Sequence, residues 1–452
     1  MDGLQASVEK MRREGLPEPA VATFEHYYRQ LAEGETGMLP ESSIEPVEDV
    51  TDLDSLEDGD APLDEAVVLK LNGGLGTSMG MTRAKSLIEA KDGMSFLDIV
   101  ARQVLELRER SGARLPLVLM NSFYTHDDAL RALSAHEALA ADVPPDFVQH
   151  KEPKLLVDDL TPVEWPDDPS LEWCPPGHGD LYTALLTSGM LDALLERGYR
   201  YAFVSNSDNL GAVLEPRILA WMAREQIPFV MEVTDRTEAD RKGGHIAARP
   251  GGGYVLRETA QTPKEDLDAL QDIGRHRYVN TNNLWIDVQA LRDLMHEREG
   301  VLGLPLIVNR KTVDPGDKSS PEVFQLETAM GAAVGVFDGA RPVRAPRQRF
   351  SPVKTTEDLL ALRSDAYVLA DDARVELAPS RGGRPPVVDL DDEYYKLLRD
   401  FDARFPDGAP ALVDCDRIAV EGDVRFGRDV VVRGTVTVRG PRTVEDGAVL
   451  EG

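Results

Sequence analysis

Residues 66–86 read Ala-Val-Val-Leu-Lys-Leu-Asn-Gly-Gly-Leu-Gly-Thr-Ser-Met-Gly-Met-Thr-Arg-Ala-Lys-Ser. The apolar run Ala66–Leu71 predicts a strand that leads directly into the glycines of residues 73–76, and Lys85 follows them. Glycines at the end of a strand let backbone N–H groups approach an anion, because no Cβ stands in the way. Lys85 adds a full positive charge. The stretch predicts a triphosphate-binding loop, and the alternative is a glycine-rich turn without a ligand.

Two common nucleotide motifs do not match this loop. The P-loop motif ends in Gly-Lys-Ser or Gly-Lys-Thr, and neither sequence follows these glycines. The dinucleotide motif Gly-x-Gly-x-x-Gly fits Gly74 and Gly76, but the next glycine, Gly80, comes one position late. The loop therefore belongs to another kind of nucleotide site.

The composition indicates a soluble globular protein with no nucleic-acid or membrane partner. The 452 residues are 42% hydrophobic, which suits a large catalytic domain and at least one smaller domain. A net charge of −30, from 80 acidic and 50 basic residues, argues against binding a nucleic-acid backbone. The sequence has no apolar run of membrane-spanning length, and its first residues are charged rather than a signal peptide. We therefore expect a cytoplasmic protein.

The net negative charge does not argue against a triphosphate ligand. Local backbone amides, lysines and a metal ion determine the field inside a cleft. Lysine supplies only twelve of the 50 basic residues, so Lys85 and Lys354 stand out at their motifs. An acidic, lysine-poor composition is typical of a high-salt habitat and equally of an arginine-biased genome.

Motifs beyond the glycine loop occur in a fixed order through most of residues 60–450. They are Pro116–Phe123, Pro175–Asp180, Phe203–Gly211, Lys242–Gly244, Asn280–Trp285, Gln325–Ala329 and Arg349–Thr356. Together with Leu69–Gly80, Lys85 and Ser86, this set resembles the eukaryotic-type UTP–glucose-1-phosphate uridylyltransferases, also called UDP-glucose pyrophosphorylases. Departures from the animal and plant pattern are mild: residues 82–84 differ just before Lys85, and residues 314–321 look like a small insertion.

The resemblance implies both a fold and a reaction. The fold is α/β, with a Rossmann-like nucleotidyltransferase (glycosyltransferase-A-like) mixed sheet flanked by helices. The reaction transfers a uridylyl group from UTP to glucose 1-phosphate with Mg²⁺, giving UDP-glucose and pyrophosphate. The alternatives are a related UDP-sugar or UDP-N-acetylhexosamine pyrophosphorylase, and an inactive nucleotide-sugar sensor or scaffold. Loss of Lys85, Asp208 or Lys354 would favour the inactive alternative, and all three are present.

The pattern along the chain predicts three regions: 1–62, 63–370 and 371–452. The first holds two helices, 4–13 and 19–32, followed by an acidic linker rich in proline and serine. The second is the catalytic domain, because short apolar strands alternate with helices there. Its predicted elements are strands 66–71, 115–120, 201–205, 229–233 and 283–288, helices 95–110, 126–141, 181–197, 216–225 and 264–271, and a β-hairpin over 245–258.

The end of the chain changes to a six-residue period. Two interleaved sets of apolar residues carry it: Ile418, Val424, Val430 and Val436, and Val420, Phe426, Val432, Val438, Val444 and Leu450. A sustained hexad with paired apolar positions is the pattern of a parallel β-helix, here expected to be left-handed. An ordinary hairpin stack would not keep this register. A β-helix with a free end can associate with a second copy.

Asp208 is the candidate metal ligand. It follows an apolar strand, and ligands of open α/β sheets bind at the carboxyl ends of strands, where a carboxylate can hold Mg²⁺. The alternative is a turn-forming aspartate at the end of the strand. The resemblance implies the metal role, and it implies that Lys85 and Lys354 are the two catalytic lysines.

The resemblance also implies the residues that bind the two substrates. Gln149 can pair with the imide edge of uracil, and the Pro-Pro-Gly-His-Gly-Asp loop offers a backbone amide and an imidazole. Without the resemblance, Gln149 would be interpreted as an exposed loop residue, His178 as a turn histidine in solvent, and each of the asparagines as a turn former. The nucleotide would contact Leu71, Gly73, Gly74, Met120, Gln149 and Gly177. The sugar phosphate would contact His178, Asn206, Gly244, Glu258, Asn280 and Asn282.

The sequence offers no convincing covalent nucleophile, and the implied reaction needs none. Glucose 1-phosphate carries an anionic oxygen that can attack the α-phosphorus of UTP in line. The enzyme then has to position two polyanions and neutralise the charge that develops on phosphoryl oxygens. Glycine amides, lysines, an aspartate and Mg²⁺ suit that task, and no general base is required.

Overall fold

The structure is a computed structural model that describes residues 3–452, with only the backbone described at Ser78. Over these residues the α-helices are α1 (Gly3–Arg13), α2 (Glu18–Ala32), α3 (Phe96–Ser111), α4 (His126–Leu133), α5 (Leu181–Thr187), α6 (Met190–Glu196), α7 (Pro216–Glu225), α8 (Leu267–Gln271), α9 (Val288–Glu297), α10 (Thr356–Arg363), α11 (Asp392–Tyr395) and α12 (Leu398–Arg404). None of these helices combines the length and the apolar character that crossing a membrane would require.

Short strands alternate with these helices. They are β1 (Thr51–Asp52), β2 (Ala66–Asn72), β3 (Glu89–Lys91), β4 (Met94–Ser95), β5 (Leu117–Asn121), β6 (Asp146–Val148), β7 (Glu152–Pro153), β8 (Leu155–Leu156), β9 (Trp173–Cys174), β10 (Tyr201–Asn206), β11 (Phe229–Asp235), β12 (His245–Ala248), β13 (Tyr254–Arg257), β14 (Tyr278–Asp287), β15 (Leu306–Thr312), β16 (Glu322–Thr328), β17 (Arg341–Arg344), β18 (Tyr367–Leu369), β19 (Val375–Leu377), β20 (Val387–Leu390), β21 (Cys415–Glu421), β22 (Val424–Phe426), β23 (Val431–Arg439), β24 (Arg442–Val444) and β25 (Val449–Glu451).

The central sheet is mixed, which confirms the predicted class of fold. Its strand order is β1-β17-β11-β14-β10-β2-β5-β6, and β12 and β13 extend it beside β14. The four strands β10, β2, β5 and β6 run parallel, whereas β14 is antiparallel to both β10 and β11. The carboxyl ends of four neighbouring strands therefore meet at one edge of the sheet.

Both faces of this sheet are covered, and the strands read as apolar runs for that reason. Successive side chains of a strand point to opposite faces. In β2, Val68 packs into the cluster that contains helices α3 and α7, whereas Val67 and Leu69 pack into the cluster that contains α5, α6 and α9. The two large cores thus lie on the two faces, and helices flank the sheet as expected.

The N-terminal helices form a smaller core of their own. Val21 and Phe24 of α2 are almost fully buried, with Leu155, Leu306 and Leu326 in the same cluster. The acidic segment that follows lies along the main sheet, because Thr51 of β1 pairs in parallel with Val343 of β17. This segment therefore adds an edge strand to the sheet.

The C-terminal strands pair in parallel with the strand three hexads further along. Ile418 pairs with Val436, Val424 with Arg442, and Val431 with Val449. Of the ten apolar positions of the hexad pattern, Leu450 alone is half-buried and the other nine are buried. The six-residue period thus corresponds to inward-facing side chains in stacked parallel strands.

Several predicted boundaries were wrong for local reasons. The expected helix 181–197 is two helices, because Gly189 adopts a left-handed φ of 75° between α5 and α6. The expected helix 126–141 ends at Leu133, and only a short 3-10 turn, Glu137–Leu139, follows. The strand expected at 283–288 begins at Tyr278. The hairpin over 245–258 is confirmed as β12 and β13.

Candidate active site

The parallel strands place three predicted site residues in one row. In cross-strand register, Asn206 of β10 pairs with Leu71 of β2, which pairs with Met120 of β5. Met120 in turn pairs with Phe147 of β6, two positions before Gln149. Residues that are far apart in sequence thus meet at the carboxyl edge of the sheet, where ligands of open α/β sheets bind.

The glycine loop begins where β2 ends, and it is closed by Lys85. The Lys85 N–H donates to the carbonyl of Gly74 at 3.0 Å. At Gly73 a Cβ would lie 3.1 Å from Nε2 of Gln149, so this glycine lets the glutamine amide approach the loop backbone. The structure therefore brings together two residues predicted to contact the nucleotide, one with its backbone and one with its amide.

The Pro-Pro-Gly-His-Gly-Asp loop packs against the end of β16. Thr328 N–H donates to the carbonyl of Pro176 at 3.0 Å. Gly177 has a left-handed φ of 78°, and a Cβ there would lie 2.6 Å from the carbonyl oxygen of Thr328. Only glycine satisfies both conditions. The loop and the Gln325–Ala329 motif therefore form one unit.

His178 is held as a neutral imidazole. Its Nδ1 accepts the N–H of Met330 at 3.0 Å, so the ring proton of the neutral form sits on Nε2. Desolvation by burial lowers the pKa of His178 to about 4. Nε2–H is then available as a donor toward a phosphate or sugar oxygen over the whole neutral range.

We expect His178 to remain neutral, as the Nε2–H tautomer, from pH 8 down to pH 5. The unfolded chain takes up a proton near the ordinary histidine pKa of about 6.5, whereas the folded protein does so only near 4. The resistance of the folded His178 to protonation therefore lowers the free energy of unfolding as the pH falls from about 6.5 to 4. Nitrogen-15 NMR of histidine-labelled protein measures the tautomer and the pKa, with the His178 signals assigned from their loss in His178→Asn. A titration midpoint of His178 near 6.5 would contradict the prediction.

An ion pair lies at the centre of the site. Nζ of Lys85 donates to Oδ2 of Asp208 at 2.6 Å, and it also donates to the carbonyl oxygen of Val353. Both charged side chains are mostly buried, with 15% and 21% of their surface exposed. The lysine after the glycine loop and the aspartate after β10 are therefore in direct contact.

The other carboxylate oxygen of Asp208 fits a metal ion. Oδ1 is buried and has no hydrogen-bond partner in the described part of the chain. A buried carboxylate oxygen without a partner is costly, and Mg²⁺ prefers such oxygens, with substrate phosphates and water completing its octahedron. Asp208 can hold a magnesium ion through Oδ1 while Oδ2 remains paired with Lys85.

Lys354 lies at the outer side of the site. Its side chain is exposed, and its backbone N–H donates to Oδ2 of Asp358 in the capping box of α10 at 2.7 Å. Burial raises the pKa of Glu258, and the positive charge of Lys354 opposes that rise. The exposed side chain of Lys354 thus lies close enough to Glu258 for their charges to interact.

Four residues predicted to contact the sugar phosphate lie together. Asn280 Nδ2 donates to Oδ1 of Asn282 at 2.9 Å, and the Asn282 N–H donates to Oδ1 of Asn280 at 2.9 Å. The Asn280 N–H donates to the carbonyl of Gly244 at 3.0 Å. A Cβ on Gly244 would lie 2.3 Å from Oε2 of Glu258, so the carboxylate occupies the space that this glycine leaves open.

On the sugar-phosphate role that the resemblance implies for these residues, Gly244→Ala is expected to raise the KM for the sugar phosphate about tenfold or more, with little change in the KM for UTP. The added methyl group must displace the carboxylate of Glu258, and one charge-assisted hydrogen bond is worth roughly 1.5–3 kcal/mol. Steady-state kinetics with each substrate varied measure this. The control is Gly251→Ala in the β12–β13 turn, where a Cβ meets nothing within 4 Å. An unchanged KM for the sugar phosphate would show that Glu258 does not bind this substrate.

The sequence interpretation missed two supporting residues. Asp180 accepts hydrogen bonds from the backbone N–H of His150 at 2.6 Å and pairs with its ring at 2.8 Å, which fixes the backbone next to Gln149. Lys70, fully buried in β2, donates to Ser205 and to the carbonyl of Ala212, and desolvation lowers its pKa to about 7. The sequence feature that could have identified Lys70 is the occurrence of a lysine within an apolar strand, in a chain that contains few lysines.

The fold and the site define a class: an α/β protein whose mixed sheet carries a glycine loop and a lysine–aspartate pair at its strand ends. The family model described as UTP–glucose-1-phosphate uridylyltransferase matches residues 21–433. The chain is 41% identical over 394 residues to the enzyme of that name from Solanum tuberosum, covering 86% of this chain and 80% of that one. It is 42% identical to that from Saccharomyces cerevisiae, covering 83% and 74%.

Solved structures agree with these sequence relatives. A variant of UDP-glucose pyrophosphorylase from Leishmania major in complex with UDP-glucose superposes with a TM-score of 0.93 at 46% identity, covering 100% of this chain and 98% of that one. A UDP-glucose phosphorylase from Trypanosoma brucei gives a TM-score of 0.91 at 46% identity, covering 99% and 98%. The chain belongs to the UTP–glucose-1-phosphate uridylyltransferase family.

Proposed function

We propose that this protein transfers a uridylyl group from UTP to glucose 1-phosphate, forming UDP-glucose and pyrophosphate. Membership of the family supports the substrates. The observation that supports the chemistry is the Lys85–Asp208 pair, with an unpartnered carboxylate oxygen, directly beside a glycine loop. This arrangement suits a phosphoryl centre that is positioned and neutralised rather than attacked by a side chain.

The reaction forms one bond and breaks one. An anionic phosphate oxygen of glucose 1-phosphate forms a bond to the α-phosphorus of UTP. The bond from that phosphorus to the oxygen bridging to the β-phosphate breaks, and the electron pair leaves with pyrophosphate. No proton has to be removed from the attacking oxygen, so the protein needs no general base. In-line alignment of the two substrates is the main catalytic requirement.

Each residue of the site receives a role in this proposal. The backbone at Gly73 and Gly74 holds the phosphates, Gln149 and Gly177 read uracil, and Leu71 and Met120 border the nucleoside. Lys85 and Lys354 bind phosphate oxygens. The sugar phosphate contacts the remaining predicted residues, which are His178, Asn206, Gly244, Glu258, Asn280 and Asn282. The contacts within this set, especially Gly244 against Glu258 and Gly73 against Gln149, support the assignment.

Asp208 would hold the magnesium ion through Oδ1. When bound, Mg²⁺ neutralises phosphate charge and orients the triphosphate. The protein's contribution is to keep the Asp208 carboxylate in place: Lys85 holds Oδ2, and the Asp208 carbonyl accepts the N–H of Val353 at 3.2 Å. These contacts hold Oδ2 and the backbone, and they leave Oδ1 without a partner among the described residues.

Pyrophosphate release from UTP with a panel of sugar 1-phosphates tests the proposal. We expect glucose 1-phosphate to be the preferred acceptor, and full dependence on Mg²⁺ or Mn²⁺. A strong preference for N-acetylglucosamine 1-phosphate would support the hexosamine alternative, and equal use of galactose and glucose 1-phosphates would support broad UDP-sugar synthesis. Full turnover in excess chelator would refute the metal role. No turnover with any sugar, together with binding of UDP-glucose, would support the sensor.

Four further predictions concern the rest of the molecule. We propose that the C-terminal strands form a left-handed parallel β-helix, which the pairing of residues three hexads apart supports. Association of two copies through its free end is a proposal that size-exclusion chromatography with light scattering would test. The division into 1–62, 63–370 and 371–452 and the cytoplasmic location stay predictions.

A further inference from the structure

A buried ion pair lies beneath the segment that carries Lys354. Arg349 donates from Nε and Nη2 to the two carboxylate oxygens of Glu232 in β11, at 2.7 Å each. The two side chains are 9% and 0% exposed. Trp285 Nε1 and Asn283 Nδ2 donate to the same carboxylate at 2.9 and 3.2 Å. The pair is therefore bidentate and surrounded by further donors, which fixes the orientation of the guanidinium.

The backbone around Arg349 is fixed as firmly as its side chain. The Arg349 carbonyl accepts Nδ2 of Asn209 at 3.0 Å and Nδ2 of Asn283 at 3.2 Å. The Ser351 N–H donates to Oδ1 of Asn209 at 3.0 Å. Asn209 is the residue after Asp208, so the segment is bound to the same turn that presents the metal ligand.

The next residues continue this connection into the site. Val353 N–H donates to the carbonyl of Asp208, and the Val353 carbonyl accepts Nζ of Lys85. Lys354 follows at once, with an exposed side chain. A single run, Arg349–Lys354, thus joins a buried anchor at one end to a phosphate lysine at the other.

We propose that Arg349, anchored by Glu232, is a positioning residue that determines where Lys354 stands relative to Asp208 during transfer. The inference rests on the role proposed above for Lys354. A buried ion pair is weak grounds for stability, because well-packed apolar residues often serve as well. A bidentate pair does fix the orientation of the backbone that follows it, and the exposed side chain of Lys354 depends on that backbone for its position. Misplacing a catalytic group by about 1 Å can cost about a hundredfold in rate.

The test is a double-mutant cycle between positions 349 and 354. Arg349→Lys keeps a positive charge beside Glu232 but loses the two parallel hydrogen bonds that the guanidinium donates. Residues 349–354 should therefore remain in place but vary more in position. We expect kcat to fall by about thirtyfold to a hundredfold, with the KM for UTP changed less than about threefold. In the Lys354→Ala background, Arg349→Lys should lower kcat by less than about twofold, because the group it positions is absent.

Arg381→Lys is the matched control. Arg381 is also buried, and its Nη1 donates to the carbonyls of Leu412, Val413 and Cys415, away from the proposed site. It should lower the thermal midpoint by a similar amount without changing kcat. If Arg349→Lys does not fold, Asn209→Ser takes its place in the cycle, since it removes the hydrogen bonds to the segment and leaves the ion pair intact.

The outcomes separate this inference from the proposed function. A large loss in Lys354→Ala, with a further large loss on adding the second substitution, would refute the positioning role and leave the role of Lys354 standing. The same conclusion follows if Arg349→Lys keeps normal turnover. Normal turnover in Lys354→Ala would refute both. Equal loss of kcat in the Arg381→Lys control would show that the effect is general destabilisation, and would refute the inference as well.

Discussion

Asp208→Asn is expected to lower turnover by about a hundredfold or more while the protein stays folded. The amide keeps the shape of the side chain but removes the negative charge that would hold Mg²⁺ through Oδ1. It also replaces the ion pair with Lys85 by a weaker contact at one of the two oxygen positions. Steady-state kinetics over a range of Mg²⁺ concentrations, with circular dichroism to confirm folding, measure the effect.

Asp235→Asn is the control for this substitution. Asp235 ends β11, a strand that runs in the same direction as β10, but its carboxylate pairs with Arg344 instead of a lysine of the site. We expect it to retain near-normal turnover. Near-normal activity of Asp208→Asn at low Mg²⁺ would mean that another carboxylate holds the metal.

Replacement of the two lysines should give two different kinetic results. Lys354→Ala should chiefly lower kcat, because a charge that acts mainly in the transition state contributes little to ground-state binding. Lys85→Ala should lower kcat and also raise the KM for UTP, since the Lys85 side chain passes beside Gly76 of the glycine loop and its Nζ contacts Asp208. For both, we expect a loss in kcat/KM of about a hundredfold or more.

Arginine at position 354 should restore little activity, because a planar guanidinium cannot occupy the place of a compact ammonium group. Lys318→Ala, an exposed lysine in the loop between β15 and β16, controls for a general loss of positive charge. Initial rates in both reaction directions measure all four variants. If both alanine variants change only the KM for UTP, the lysines merely attract the nucleotide and the division of roles is wrong.

The parts of the fold that could be predicted were those with a local signal. β2, β5 and β10 are apolar runs followed by polar or glycine-rich turns, so their existence followed from the sequence, whereas their function as ligand-bearing strands stays a prediction. The hexad pattern predicted the buried positions of the C-terminal strands for the same reason. The family, implied by ordered motifs, is confirmed.

The contacts within the site could not be predicted, because they join residues that are distant in sequence. The Glu232–Arg349 pair is separated by 117 residues and the Lys85–Asp208 pair by 123. No local pattern distinguishes Glu232 from any other acidic residue of a strand. Similarly, the break at Gly189 depends on one backbone angle, and an isolated glycine inside a helical pattern is often tolerated. The roles of the individual site residues stay predictions.

The row from Asn206 through Leu71 and Met120 to Phe147 fixes one dimension of the cleft through the backbone alone. Neighbouring strands lie about 4.8 Å apart, so three steps span about 14 Å whatever the side chains are. A register slip of one residue would change which residues form this row but not its width, and the buried side chains on both faces oppose such a slip. Under the roles proposed above, sugar preference can therefore diverge at β14 and at the ends of the β12–β13 hairpin while the spacing of the central strands stays constant.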